Sequence, residues 1–149
     1  MRIVPDSLRV LLFGTLVLLT ACNSEKMQET ERGMQQNYFL QSLRLIEGGG
    51  QTLQRVGVQQ SEIDAALQQI DQGMAQAFQV DPDFLQQLDS RLPEVYREWF
   101  ITGVEKYRLG VESSNRENQL AGLQLLSRWG EFWGEEGASI LAKLEAVNE

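Results

Sequence analysis

From residue 34 onward, apolar side chains return every three or four positions, and no stretch alternates apolar with polar long enough to suggest a strand. That periodicity confines the fold to helices. Met34, Tyr38 and Leu45, with Phe39, Leu43 and Ile46, form one broad apolar face, which the triple glycine Gly48 to Gly50 is expected to end. Ser61 before Glu62-Ile63-Asp64 resembles a capping box, and Ile63, Leu67, Ile70, Met74 and Phe78 carry the next stripe. The outer face of that segment is glutamine-rich, with Gln68, Gln69, Gln72 and Gln76, but the apolar stripe runs through the glutamines and argues against a disordered tract.

Asp81-Pro82 combines an N-cap aspartate with a proline at the first helical position, where its missing N–H costs nothing. A short helix with Phe84, Leu85 and Leu88 is expected to follow. Pro93 repeats the device and opens a segment bearing Val95, Tyr96, Trp99, Phe100, Val104, Tyr107 and Val111, the most aromatic of the chain. After a cap or break at Ser113-Ser114-Asn115, a closing stripe runs through Leu120, Leu123, Leu126, Trp129, Trp133, Ile140 and Leu144. Gly130, Gly134 and Gly137 interrupt it. Each costs about 1 kcal/mol relative to alanine inside a helix, which predicts either a bend or a closely packed neighbour. Four or five amphipathic helices with short connections make the expected fold class all-α, a small antiparallel helical bundle over residues 34–149. No internal repeat supports a solenoid.

The first residues follow a different logic. Arg2 and Arg9 flank a short polar start, Val10 to Leu19 is an apolar core of ten residues, and Leu19-Thr20-Ala21-Cys22 closes it. Ten residues are too few to span a bilayer, which takes about 20. The segment resembles bacterial lipoprotein signal peptides, whose lipobox has an aliphatic residue, a tolerant position, a small residue and cysteine. Asp6 is a departure, an acid where the family is usually basic. The resemblance implies cleavage before Cys22, a diacylglyceryl thioether on its sulfur and acylation of the new amino terminus. Two or more acyl chains make a stable anchor where one is marginal. In that family an aspartate after the cysteine retains the protein in the inner membrane. Asn23 therefore implies an outer-membrane lipoprotein facing the periplasm.

The expected organisation is a signal peptide over 1–21, a lipidated Cys22 with a polar tether over 22–33, and the helical domain. The second half of the tether reads equally as exposed first turns of the next helix. An ordinary secretory signal, or a core helix with an inert cysteine, is the competing reading of the leader.

The chain carries 13 bases and 21 acids; losing Arg2, Arg9 and Asp6 with the leader leaves 11 and 20, a net charge of −9. No basic patch could track phosphates, so nucleic acid is not expected as a partner, and anionic head groups should repel the body. Cys22 is the single cysteine, so no disulfide can form within the chain. Histidine is absent, which removes the usual base near neutral pH, the Ser-His-Asp and Cys-His triads and the commonest zinc ligand. Asp81, Asp83 and Asp89 hint at calcium, but an EF-hand loop from Asp81 would need glycine at 86 and glutamate at 92, where Gln86 and Leu92 stand. No metal and no cofactor is expected.

Two acid–base arrangements survive. Ser139 and Lys143 stand one helical turn apart, and Glu131, Glu135 and Glu136 beside Trp129 and Trp133 resemble the composition of a sugar-binding cleft. Both patterns are also those of an ordinary solvated helix face. The aromatic set is the better candidate for function: Trp99, Tyr107, Trp129, Phe132 and Trp133 suit a groove that receives a partner helix, since tryptophan and tyrosine are favoured at binding hot spots. The same residues are what a small bundle without disulfides needs for its core. Position 132 lies about 60° off the line joining 129 and 133, so one aromatic should be left near the surface beside Gly130 and Gly134. The resulting expectation is a non-enzymatic, outer-membrane-anchored interaction module for another envelope protein in assembly, secretion or maintenance. Small helical secretin pilotins offer an analogy of fold only. The alternatives are a peptidoglycan- or carbohydrate-binding or -cleaving protein using the glutamates, and a receptor for a small apolar ligand.

Overall fold

The computed structural model describes the backbone of residues 7–146 and the side chains of residues 27–146. The side chains of Leu19-Thr20-Ala21-Cys22, and with them the lipidation expected at Cys22, lie outside the described residues. Two units are distinguished, Met1–Met34 and Gln35–Glu149. In the first, the backbone from residue 7 is the start of helix α1 (Ser7–Leu53), and Met27 and Met34 are exposed. Among the described residues no helix is long and apolar enough to cross a membrane.

The second unit is an all-α bundle. The remainder of α1 is followed by α2 (Gln60–Ala77), α3 (Pro82–Leu88) and α4 (Leu92–Val95). Helix α4 runs without a break through a π-helical segment, Tyr96–Ile101, into α5 (Thr102–Glu112), and α6 (Arg116–Glu145) closes the chain. Helix starts follow local chemistry. The Asp81 carboxylate accepts from the Asp83 N–H at 2.8 Å with Pro82 opening α3, and the Asn115 side chain accepts from the Asn118 N–H at 3.1 Å at the head of α6. The cap of helix α2 falls two residues before the expected Ser61. Gln59 is its cap, and its N–H donates to the Glu62 carboxylate at 3.0 Å.

Two glycine expectations are corrected by the fold. Gly48 to Gly50 do not end the first helix, which continues to Leu53. A Cβ on Gly49 would lie 2.7 Å from Ile70 Cγ1 and 2.8 Å from the Ala66 carbonyl oxygen, and one on Gly73 would lie 3.1 Å from the Ile46 nitrogen. These glycines let α1 and α2 approach antiparallel and nearly backbone to backbone. The turn falls later, at Gly57, whose φ of +77° is a left-handed conformation suited to glycine. The same device joins α5 to α6, where a Cβ on Gly122 would sit 2.5 Å from the Tyr107 nitrogen and 2.7 Å from the Gly103 carbonyl oxygen. Finally, α6 passes uninterrupted through Gly130, Gly134 and Gly137. Gly130 and Gly134 face open space, whereas Gly137 is roofed by the Trp133 indole of its own helix.

Two hydrophobic stripes are also trimmed. Phe78 caps α2 at 61 % exposure instead of entering the core, and Leu120 and Leu123 at the head of α6 are exposed. The core is built instead on Phe39, Ile70, Leu85, Leu92, Tyr96 and Ile140, all nearly inaccessible. Tyr96 is its hub, with ring centroids 5.5 Å from Phe39, 5.1 Å from Phe100 and 5.9 Å from Trp129. Each such pair contributes about 0.5–1.5 kcal/mol beyond the area it buries. Polar clamps tie the short α3 region to α6: Lys143 Nζ donates to the Leu88 carbonyl, and Arg91 pairs with Glu136 at 2.6 Å while its guanidinium stands 5.2 Å from the Phe132 ring centre.

Candidate functional site

A groove lies between α1, the π segment with α5, and α6, and Ile70 of α2 also lines it. The C-terminal turns of α1 contribute Leu43, Ile46, Glu47, Gln51 and Gln54; the π segment and α5 contribute Phe100, Val104 and Tyr107; α6 contributes Leu123, Leu126, Trp129 and Trp133. Its volume is about 420 Å³. The floor is apolar because the i, i+3 and i+4 stripes of α5 and α6 meet there. The rim on α1 is polar, and Gln51 Nε2 donates to the Glu47 carboxylate at 3.1 Å. Gly50 lines the groove without a side chain of its own, and no atom stands within 4 Å of where its Cβ would be.

The five aromatic residues singled out from the sequence are divided by the fold. Tyr107, Trp129 and Trp133 converge on the groove, and the Trp129 and Trp133 rings stack at 5.3 Å. Burial pushes the Tyr107 hydroxyl above the ordinary tyrosine pKa. Phe132 is buried outside the groove, under Arg91, and Trp99 is half-buried against the edge of the core. The aromatic left near the surface is therefore Trp133, held over Gly137. Gly130 and Gly134 point elsewhere.

The charged candidates do not join this site. Glu131 and Glu135 are exposed, Glu136 is paired with Arg91, and none of the three lines the groove. Lys143 is committed to the Leu88 carbonyl rather than to Ser139. Asp81 caps α3, and Asp89 pairs with Arg91 at 3.2 Å, which holds its carboxyl below the usual aspartate range through the Arg91 hydrogen bonds. Among the described residues no three acids or other metal-binding side chains converge where an ion could be held.

Sequence reasoning did not find Leu43, Leu126 or the Glu47, Gln51 and Gln54 rim as parts of one site. The signal for Leu123 was present but ambiguous: it sits on the edge of the α6 stripe, and stripe position alone does not distinguish a core residue from a groove wall. No protein-family model, curated protein or solved structure matches this chain.

Proposed function

We propose that this protein is a non-enzymatic interaction module, anchored in the outer membrane through lipid on Cys22 and facing the periplasm, which binds another envelope protein in the groove between α1, α5 and α6. The observation that carries this reading is the convergence of Tyr107, Trp129 and Trp133 with the exposed Leu123 on one apolar, solvent-open groove. The half-buried Tyr107 and Trp133, beside the buried Trp129, an apolar floor and a polar rim, are the composition of a helix-receiving site. The lipobox Leu19-Thr20-Ala21-Cys22 and Asn23 supply the address.

The test uses Leu123, which is 39 % exposed and can be changed without emptying the core. A photo-crosslinker at Gln51 on the groove rim should trap one envelope protein in cells. The Leu123→Glu substitution should abolish that adduct while leaving helicity and melting temperature nearly unchanged. An adduct indifferent to Leu123→Glu, together with cleavage of muropeptides that Glu131→Gln or Glu135→Gln removes, would instead establish the hydrolytic alternative. For the anchor, the mature protein should carry acyl mass at Cys22, and Cys22→Ala should leave an uncleaved or unanchored form. A mature mass with no acyl addition refutes lipidation.

A further inference from the structure

A second surface has no lining residue in common with the groove. Around the end of α2, two adjoining depressions of about 610 and 480 Å³ meet at Phe78. Phe78 is 61 % exposed, and Leu109, which lines the second depression, is 50 % exposed. Met74 and Ile101 are buried beneath them. Other large apolar side chains are exposed elsewhere, but Phe78 and Leu109 stand together over a recessed apolar floor, which a lone exposed residue does not provide.

The charges around this face are unbalanced. Asp71, Glu94, Glu98 and Glu105 line it, against Arg97 and Arg108. Both arginines are already neutralised, Arg97 by Glu98 at 3.3 Å and Arg108 by Asp71 and Glu112. Among the described residues neither Glu94 nor Glu105, on the continuous run from α4 to α5, has an ion-pair partner. They are eleven residues apart, roughly 16 Å at helical rise. A partner that covers Phe78 and Leu109 therefore meets negative potential at both ends.

We propose that this face docks a basic amphipathic helix of a partner protein, its apolar side chains on Phe78 and Leu109 and its lysines or arginines toward Glu94 and Glu105. A second copy of this chain is disfavoured, because it would bring an equally acidic face and a net charge of −8 against its like. An anionic membrane is disfavoured for the same reason. The proposal does not depend on the groove between α1, α5 and α6 and stands if that reading fails.

The full chain in zwitterionic lipid nanodiscs is titrated into a fluorescent helical peptide with one leucine face flanked by lysines three turns apart, with empty nanodiscs as blank. Binding should appear in anisotropy, vanish when the lysines are replaced by glutamate, and weaken as salt rises from about 0.05 to about 0.5 M. Phe78→Ser should weaken it about tenfold or more, as should the Glu94→Gln, Glu105→Gln pair. Melting should be little changed, since these side chains are exposed, and Leu109→Ser serves if Phe78→Ser folds poorly. The Glu131→Gln, Glu135→Gln pair removes the same charge elsewhere and should leave binding intact. Equal weakening by both glutamine pairs would reduce the effect to bulk charge and overturn the proposal. So would binding indifferent to both Phe78→Ser and Leu109→Ser, self-association in sedimentation that Phe78→Ser abolishes, or Phe78-dependent binding to anionic vesicles.

Discussion

Ser42 is fully buried, and its one proton goes to the Phe39 carbonyl at 2.6 Å. The 2.6 Å contact between Ser42 Oγ and the Tyr96 hydroxyl must then be a bond in which Tyr96 donates. An isolated serine in an apolar stripe thus serves as the acceptor for the hub of the core. Ser42→Ala should cost about 1–3 kcal/mol, because it strands a buried tyrosine hydroxyl. Tyr96→Phe should cost less, and adding it to Ser42→Ala should recover stability rather than lose more. Urea unfolding of the two single variants and the double variant checks this cycle. Burial raises the Tyr96 pKa well above its ordinary value of 10. Below pH 10 folded and unfolded chains both keep the proton; above it the unfolded chain releases its proton first, so stability falls as pH rises. Tyr96→Phe should flatten that alkaline limb in pH-dependent melts, and Tyr107, shifted the same way by burial, contributes to what remains.

At the scale of elements, close approach explains what propensity does not. Glycine is the residue a helix tolerates least after proline, yet Gly49, Gly73, Gly103, Gly110 and Gly122 all sit in helices. Each stands where another helix would collide with a Cβ. Gly50, Gly130 and Gly134 have no such neighbour. Gly122→Ala and Gly49→Ala should therefore destabilise by about 1–3 kcal/mol through forced separation of paired helices. Gly130→Ala should stabilise by about 1 kcal/mol through propensity alone. Opposite shifts in denaturation midpoint would establish the distinction; a common sign would refute it.

The π segment has a related cause. Leu92, Tyr96, Phe100 and Val104 repeat at strict four-residue spacing, which drifts about 40° per step in a regular helix. All four are nevertheless buried. The wider π turn absorbs the drift, and the Thr102 hydroxyl donates to the Arg97 carbonyl at 3.0 Å within it. That spacing was readable in the sequence, although without the neighbouring helices nothing required all four residues to share one face.

At the scale of the whole molecule, every buried residue of the core cluster lies, among the described residues, between Phe39 and Leu144. A fragment covering residues 35–149 should consequently unfold in one transition with the melting temperature of the longer chain, as circular dichroism can measure. A marked loss of stability would mean that residues before 35 contribute to the core. The periodicity of apolar residues determined by itself that the chain is helical, and Asp81-Pro82 and Asn115 marked helix starts correctly, because capping and periodicity are local effects. Composition alone likewise excluded histidine chemistry and internal disulfides. Only the tertiary structure decided which glycines are turns and which are crossings, that Phe78 faces solvent, and that Tyr107, Trp129 and Trp133 line one groove while Phe132 and Trp99 do not. Those outcomes depend on which helix packs against which face, a relation between residues far apart in the chain that no local pattern encodes.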